Sequence, residues 1–381
     1  MSFIKHLMAE RRTRFGLIVA GFVLAYFAII YFEATRSRLK VFDILSDWGT
    51  PAITVPEPWR SLVSDRTAFG LGLCGIEKVE VSNEDLCGLK IWRAGRLGDA
   101  TEVRMDNCGI SDYCLSQFPA MPNLVTLNLS SNPLTDVGSS LIVLSQAPDI
   151  RLVSLSNTRI KDATSSVIPQ LARIQYINLS DTDVTANAFV GEGWVGAPYY
   201  LNMSGIDLSG TEIQNLPLTL QSLEISRCGD ITVALRDVGK LRHLRNFTAR
   251  NTQIRVSEIE WEGFPGDLTS LDLAGAGFES TVLDHASVLR SINVLNVSEC
   301  KIDVAGWQAI GRMEGLKALE CVRTDVSPLL SSQVAWLPKL QVIALSDDTP
   351  GLEVARKIKE LTNATMVIAV NSKNGHTTIR E

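Results

Sequence analysis

Histidine is scarce in this chain, with four in 381 residues. His6, His243, His285 and His376 stand far apart, and none has a second metal ligand or a nucleophile at a useful spacing. The seven cysteines include no C-x-x-C pair, which leaves zinc-ribbon and dithiol-redox chemistry without ligands. Positive charge is not in excess either. Lys and Arg number 36 against 42 Asp and Glu, for a net charge of -6, so the chain lacks the basic stripe that nucleic acid or an anionic headgroup surface requires. Gly70, Gly72 and Gly75 formally spell G-x-G-x-x-G, but an expected strand follows them where a phosphate loop needs the N-terminus of a helix. These absences exclude a recognisable catalytic centre, and the expectation is a non-enzyme with no metal and no cofactor.

What the chain has instead is periodicity. Hydrophobic residues make up 45% and charged residues 20%, and the apolar residues return on one template, L-x-x-L-x-L-x-x-(N/T/C)-x-(L/I), about every 24 residues. LVTLNLSSNPL sets Leu124, Leu127, Leu129, Asn132 and Leu134 on it. IQYINLSDTDV sets Ile174, Ile177, Leu179, Thr182 and Val184, and INVLNVSECKI sets Ile292, Leu295, Val297, Cys300 and Ile302. Further units start at Ile76, Ala100, Ile150, Leu220, Leu244, Leu268, Leu316 and Leu340. A degenerate unit starts at Ala364, and an ambiguous one lies near Tyr199 to Leu208. The motif resembles the leucine-rich repeat family. That resemblance implies an α/β solenoid with a curved parallel sheet, convex helices and loops, and a concave face that binds ligands.

The alternation in x-L-x-L-x predicts a short strand whose leucines point inward while the residue between them faces out. A buried Leu or Ile contributes on the order of 1.5 to 3 kcal/mol only when a neighbouring unit covers it, so the array has to stack. Apolar pairs three residues apart precede several units, at Phe118/Met121, Val238/Leu241, Ile310/Met313, Val334/Leu337 and Ile358/Leu361, and predict a helical return in those copies. The stretches 191–200 and 260–267 are too rich in Gly and Pro for a helix and read as loops. Stacking would turn one outward position into a ladder of Glu80, Arg104, Asn128, Ser154, Asn178, Asn202, Glu224, Thr248, Asp272, Asn296 and Glu320. Sequons such as Asn128-Leu129-Ser130 arise because L-N-L-S is itself the repeat, and would matter only in a glycosylating compartment.

Cys108, Cys228 and Cys300 occupy the N/T/C slot and Cys321 an inward strand position, which predicts buried structural thiols. Cys74, Cys87 and Cys114 lie near the start of the array. Exported members of the family often carry a disulfide there, and by that resemblance Cys74 with Cys87 is the candidate pair.

The run Phe15 to Phe32 carries no charge and corresponds to roughly 27 Å of helix, nearly a bilayer core. It lacks the small-x-small cleavage site of a secretory signal, and predicts a transmembrane signal anchor contacting the lipid bilayer through residues 15–32. Lys5, Arg11, Arg12 and Arg14 before the span, against Arg36, Arg38 and Lys40 after it, lean towards a cytoplasmic N-terminus with the repeats outside the cytoplasm. The organisation expected is thus a tail at 1–14, a span at 15–32, a linker and cap at 33–75, and a repeat domain with its C-terminal cap at 76–381. In the linker, Leu39, Phe42, Leu45 and Trp48 suggest a short amphipathic helix. At the other end a helix near Leu352 to Leu361, a weak strand at Thr365 to Val370 and a polar tail close the core.

Function is expected to be that of a membrane-tethered binding scaffold for a protein partner, with a glycan as a further possibility. The alternative is a structural component of the cell envelope that packs with copies of itself, and the sequence is silent on oligomeric state. The contact patch expected is Tyr176, Asn178, Tyr199, Tyr200 and Asn202, with Arg227 and Arg250 supplying charge farther along. Exposed tyrosines bury area at low rotamer cost. A competing reading is that they merely cover an irregular unit.

Overall fold

The computed structural model describes residues 35–36, 38–40, 43, 53–54, 75–88, 97–135, 144, 146–162, 167–189, 194–213, 216–255, 265–278, 291–330, 339–346, 351, 353–357, 366–370 and 377–380. Its main element is a 14-stranded sheet whose strands lie in chain order. Neighbours are parallel throughout except for the last pair, Met366–Val370 with Thr377–Arg380, which is antiparallel. Every expected unit contributes one strand. These include the ambiguous unit, as Tyr200–Asn202, and the degenerate one, as Met366–Val370. Leu127, Ile177 and Leu295 lie in one continuous core with the framework residues of the other units.

Each strand is short because its regular pleat ends in a left-handed residue. Asn83, Asn107, Ser131, Asn157, Asp181, Arg227, Asn251, Glu299 and Arg323 have φ between 51° and 61°. Gly205 and Gly275 stand at the equivalent place in their units at 79° and 67°. A non-glycine residue there costs about 1–2 kcal/mol, and Asn and Asp tolerate it best. The bend is kept because the amide of the bent residue still reaches the next unit. Asn107 N donates to Ser130 O at 3.0 Å, Asp181 N to Ser204 O at 2.7 Å, and Glu299 N to Val322 O at 2.9 Å. The ladder therefore runs past the strand, and the turn behind it becomes a buried row of backbone carbonyls.

The N/T/C slot supplies donors to that row. Asn132 Nδ2 lies 2.6 Å from Met105 O, 2.9 Å from Leu129 O and 3.1 Å from Ser130 O, while its Oδ1 accepts from Cys108 N and Ile110 N, both at 2.9 Å. Thr182 Oγ1 donates to Leu179 O at 2.7 Å, and Thr252 Oγ1 to Ala249 O at 2.7 Å. Cys228 Sγ donates to Met203 O and Ser226 O, both at 3.3 Å. Asn, Thr and Cys are interchangeable here because each places one hydrogen on a buried carbonyl. The cysteines at this slot and Cys321 are buried, as their positions predict.

The return segments meet expectation in part. Short α-helices occupy the returns at Asp112–Ser116, Thr232–Val238 and Val304–Gly311, and 3-10 turns at Leu97–Asp99, Ile168–Gln170, Ala186–Phe189 and Ser327–Leu330 serve other units. Val238 and Ile310 lie in these helices, and their partners Leu241 and Met313 fall in the turn that ends the return. Leu241 N bonds to Val238 O at 3.0 Å and Leu244 N to Leu241 O at 3.0 Å, and Met313 with Ile310 and Leu316 with Met313 repeat the pattern. Consecutive i to i+3 turns eclipse side chains every third residue, which produces the same spacing without an α-helix. The pairs Val334/Leu337 and Ile358/Leu361 lie outside the described residues. Residues 194–199 are non-helical, as the composition of 191–200 predicts.

Both ends of the array carry additional strands. Ile53–Thr54 pairs antiparallel with Gly75–Ile76, so the linker sends a strand back to the first unit. The polar tail is not merely a solvated extension. Thr377–Arg380 forms the last strand of the sheet and covers the edge of Met366–Val370, which would otherwise present unpaired backbone groups. Helical backbone occurs at residues 35–36, 38–40 and 43, somewhat ahead of the expected amphipathic helix, and at residues 351 and 353–357. The anchor expected at 15–32 lies outside the described residues. Among those described, no helix is long and apolar enough to cross a membrane.

Of the expected disulfide pair, Cys87 is among the described residues. Cys87 is a free thiol, with its Sγ 3.8 Å from Ser111 Oγ, the hydroxyl that also accepts from Cys114 N at 3.3 Å. Its neighbours are thus in the adjoining unit, because stacking sets residues about 24 apart side by side. Cys74 lies outside the described residues.

Two measurements test this architecture. Asn132→Ala leaves two amides and a set of carbonyls without partners, and should lower the unfolding free energy by about 2–4 kcal/mol, with Asn132→Thr costing about half as much. Chemical denaturation of the two variants decides it, and equal losses would contradict the donor role. Burial pushes the Cys228 thiol up to about 12 and the Cys300 thiol up to about 11. With pKa values raised, both stay protonated and unreactive at mildly alkaline pH. Iodoacetamide on the native chain, read by peptide mass mapping, should label Cys87 well before Cys108, Cys228, Cys300 or Cys321.

Candidate protein-binding surface

One face of the sheet is open, and the register fixes which residues meet there. The pairs Glu80 with Arg104, Asn128 with Ser154, Asn178 with Asn202, Glu224 with Thr248, and Asp272 with Asn296 all fall opposite one another, which reproduces the expected ladder. Much of this ladder is committed to the fold. Asn128, Asn178, Asn202 and Asn296 each accept, through Oδ1, the amide of the serine two residues on, at 2.8–3.0 Å. Asp272 does the same for Ala274 N at 3.1 Å. These local bonds hold the chain as it leaves the strand. They also explain why N-x-S recurs.

The row beside it holds the aromatic pair. Tyr176 and Tyr200 are register partners, and their rings stack with centroids 4.1 Å apart and planes 3° apart. A stack of this kind is worth about 0.5–1.5 kcal/mol beyond the area it buries. The next residue of the row is Ser222, so a large aromatic step stands beside a small side chain. Tyr200 Oη donates to Glu224 Oε1 at 2.8 Å, and Asn202 Nδ2 donates to Glu224 Oε2 at 2.9 Å. Partial burial, together with the hydroxyl of Tyr176 and this carboxylate, pushes the Tyr200 phenol far up, so it stays protonated throughout the physiological range. Tyr200 and Asn202 are thereby locked to Glu224, a residue absent from the expected patch. Its place across from Asn202 in the ladder was the available signal.

Tyr199 sits one residue before the strand and is 45% exposed. Its carbonyl accepts from Gln221 N and Ser222 N at 2.8 and 2.9 Å, and Gln221 O in turn accepts from Arg245 N at 2.8 Å. Tyr199, Gln221 and Arg245 therefore form a row along the margin where the chain enters its strands, spaced about 4.8 Å per strand.

The expected charge suppliers are already occupied. Arg227 Nη2 lies 2.8 Å from both carboxylate oxygens of Asp181, and Arg250 Nε donates to Asp272 Oδ2 at 2.7 Å. Each arginine keeps its hydrogen bonds inside the sheet margin, so neither stands as a vacant cation beside the tyrosines. His243, one of the four scattered histidines, lies near the strand-entry margin, where with Thr219, Gln221 and Arg245 it lines a surface pocket. No group of three or more potential metal ligands occurs among the described residues.

Comparison with known proteins adds a family match. The leucine-rich repeat family model matches residues 120–143, the segment that contains the Leu124 to Leu134 unit. No curated protein matches the chain. Among solved structures, an internalin from Listeria monocytogenes is 17% identical, with coverage of 70% of this chain and 86% of that one and a TM-score of 0.37. A leucine-rich repeat protein of Leptospira interrogans is 15% identical, with coverage of 79% and 92% and a TM-score of 0.42. The matched unit, repeated in register along a parallel sheet with its N/T/C donor and framework leucines buried, gives this chain the architecture of a leucine-rich repeat solenoid.

Proposed function

We propose that this chain is a membrane-tethered binding scaffold, without enzymatic activity of its own, that captures a protein partner on the open face of its sheet. The contact is centred on Tyr176, Tyr199 and Tyr200, with Asn178 and Asn202 beside them. The observation that carries the reading is the stacked tyrosine pair, which stands between Leu152 and Ser222 in its row of the open face. Stacked rings are rigid before a partner arrives, so little side-chain entropy is lost when one does. A purely covering role fits less well, because Tyr199 is 45% exposed. A glycan ligand would also use aromatic faces, and is an outcome the partner search distinguishes.

Tethering rests on the uncharged run 15–32, with the tail 1–14 in the cytoplasm and the repeats on the other side. Proximity labelling from the full-length chain in its native cells should give partners in an extracytoplasmic compartment. Replacing Tyr176 and Tyr200 together by Ala should weaken their recovery by about tenfold or more, the loss expected of a central anchor, with the circular dichroism spectrum kept. A lost spectrum would assign the pair to the fold instead. Recovery of this chain alone would favour the self-packing envelope component. On fractionation the protein should remain with membranes in alkaline carbonate, and deletion of 15–32 should release it.

A further inference from the structure

The margin next to the tyrosines holds a site that neither the repeat framework nor the aromatic patch uses. Arg245 and His243 both line the pocket there, together with Gln221 and Thr219. Unlike Arg227 and Arg250, whose carboxylate partners are within the sheet, Arg245 and His243 make no side-chain hydrogen bond or ion pair among the described residues. Asp267, which follows His243 by one unit, is exposed and pairs with neither. Thr219 is anchored, its Oγ1 donating to Pro198 O at 2.8 Å, so that wall of the pocket is held by the unit carrying Tyr199. Apolar surface adjoins it. Leu218 is 64% exposed and Tyr199 45%, and Tyr199 stands two strands, roughly 10 Å, from Arg245 along the same row.

We propose that this pocket is the specificity point of the binding face, and that it takes the carboxylate of an Asp or Glu side chain in an extended segment of a partner protein. An apolar side chain of that segment rests on Tyr199 and Leu218. The inference rests on the protein-binding reading above and adds the chemistry of the ligand. Arginine's planar fork presents two parallel N–H groups to a carboxylate, and the His243 ring and Gln221 amide are further donors lining the same pocket. A spacing of about 10 Å between cation and aromatic matches about three residues of extended chain, so acidic and apolar side chains three apart satisfy both points. Of the carboxylates nearby, Glu224 and Asp272 are held by Tyr200, Asn202 and Arg250, and the exposed Asp267 is not among the residues that line the pocket.

The test is selection of random peptides displayed on phage against the full-length chain held in detergent micelles. The expected result is recovery of peptides with Asp or Glu about three residues from an aromatic or aliphatic residue. A synthetic copy of one such peptide should bind Arg245→Glu about tenfold more weakly or worse, since a charge-assisted pair is replaced by repulsion. Binding should fall as salt is raised, and Arg227→Gln should bind as the unmodified chain does. Selection on Arg245→Glu should recover Lys- or Arg-bearing peptides instead.

Acidic peptides that bind Arg245→Glu and His243→Gln unchanged would overturn the proposal. So would apolar peptides with no acidic preference, a result that leaves the tyrosine patch standing. Retention of the acidic peptides by the Tyr176→Ala/Tyr200→Ala chain would instead sink the aromatic patch and keep this pocket. Displacement of the peptides by single-stranded DNA or by phosphatidylglycerol vesicles at equal charge would show a general polyanion site and end the carboxylate assignment.

Discussion

Every unit of this solenoid has to satisfy the same few backbone groups, and nearly everything else follows from how it does so. A strand that bends sharply inward leaves carbonyls facing a dry core, where an unpartnered polar group costs about 1–3 kcal/mol. The left-handed residue keeps its amide on the neighbouring unit, and the slot residue that follows it directly returns a donor to the carbonyls behind it. Where that donor is Asn132, three bonds tie it to the preceding unit and two more close its own turn. Where it is Thr or Cys the bonds are fewer. Where it is Ile206 or Ala276 the backbone alone closes the turn, Ile206 N reaching Met203 O and Ala276 N reaching Leu273 O. Units without a polar donor survive because their neighbours on both sides share the sheet ladder.

That gradation accounts for what could be read in the sequence. Strand register was legible wherever inward Leu or Ile alternated with a polar residue, and it held even in the Tyr199 to Leu208 unit, whose Leu201 and Met203 keep the alternation although Ile206 hides the slot. The return segments were legible in part: helices are present at Asp112–Ser116, Thr232–Val238 and Val304–Gly311, but they end early because spacing by three is shared between an α-helical face and successive 3-10 turns. Only the hydrogen bonds separate Val238–Leu241–Leu244 from a helix. The last strand was missed because HTTIRE is short and polar. Its reason for ordering is the open edge of Met366–Val370, which is a property of the assembled sheet and not of the segment.

The candidate surface was legible in position and not in charge. Tyr176 and Tyr200 could be set side by side from the period alone. The pairing of Arg227 with Asp181 could not, because those residues are two units apart and meet only across Gly205, where an added Cβ would sit 2.2 Å from Asp181 Oδ1. The glycine serves two demands at once. It takes the left-handed conformation without strain, and its missing side chain is the gap through which the guanidinium passes.

This arrangement makes the two margins of the sheet unlike each other. Along the side where strands end, left-handed residues stack, and their side chains point along the array toward one another. Asn107 Nδ2 donates to Asn83 Oδ1 at 2.9 Å, Arg227 pairs with Asp181, and Arg323 Nη1 meets Glu299 Oε1 at 2.7 Å. Charge on that side is consumed by stacking, since each residue finds an opposite or amide partner one or two units away. Where strands begin, pairing between units also occurs, as Arg173 meets Asp149 at 2.6 Å, but it depends on which residues the period sets side by side. Arg245 has Gln221 and Thr269 as its column neighbours, neither of them a carboxylate. On the proposed reading a charged partner meets the entry margin at Arg245, beside the tyrosines, while the exit-margin pairs hold the units together.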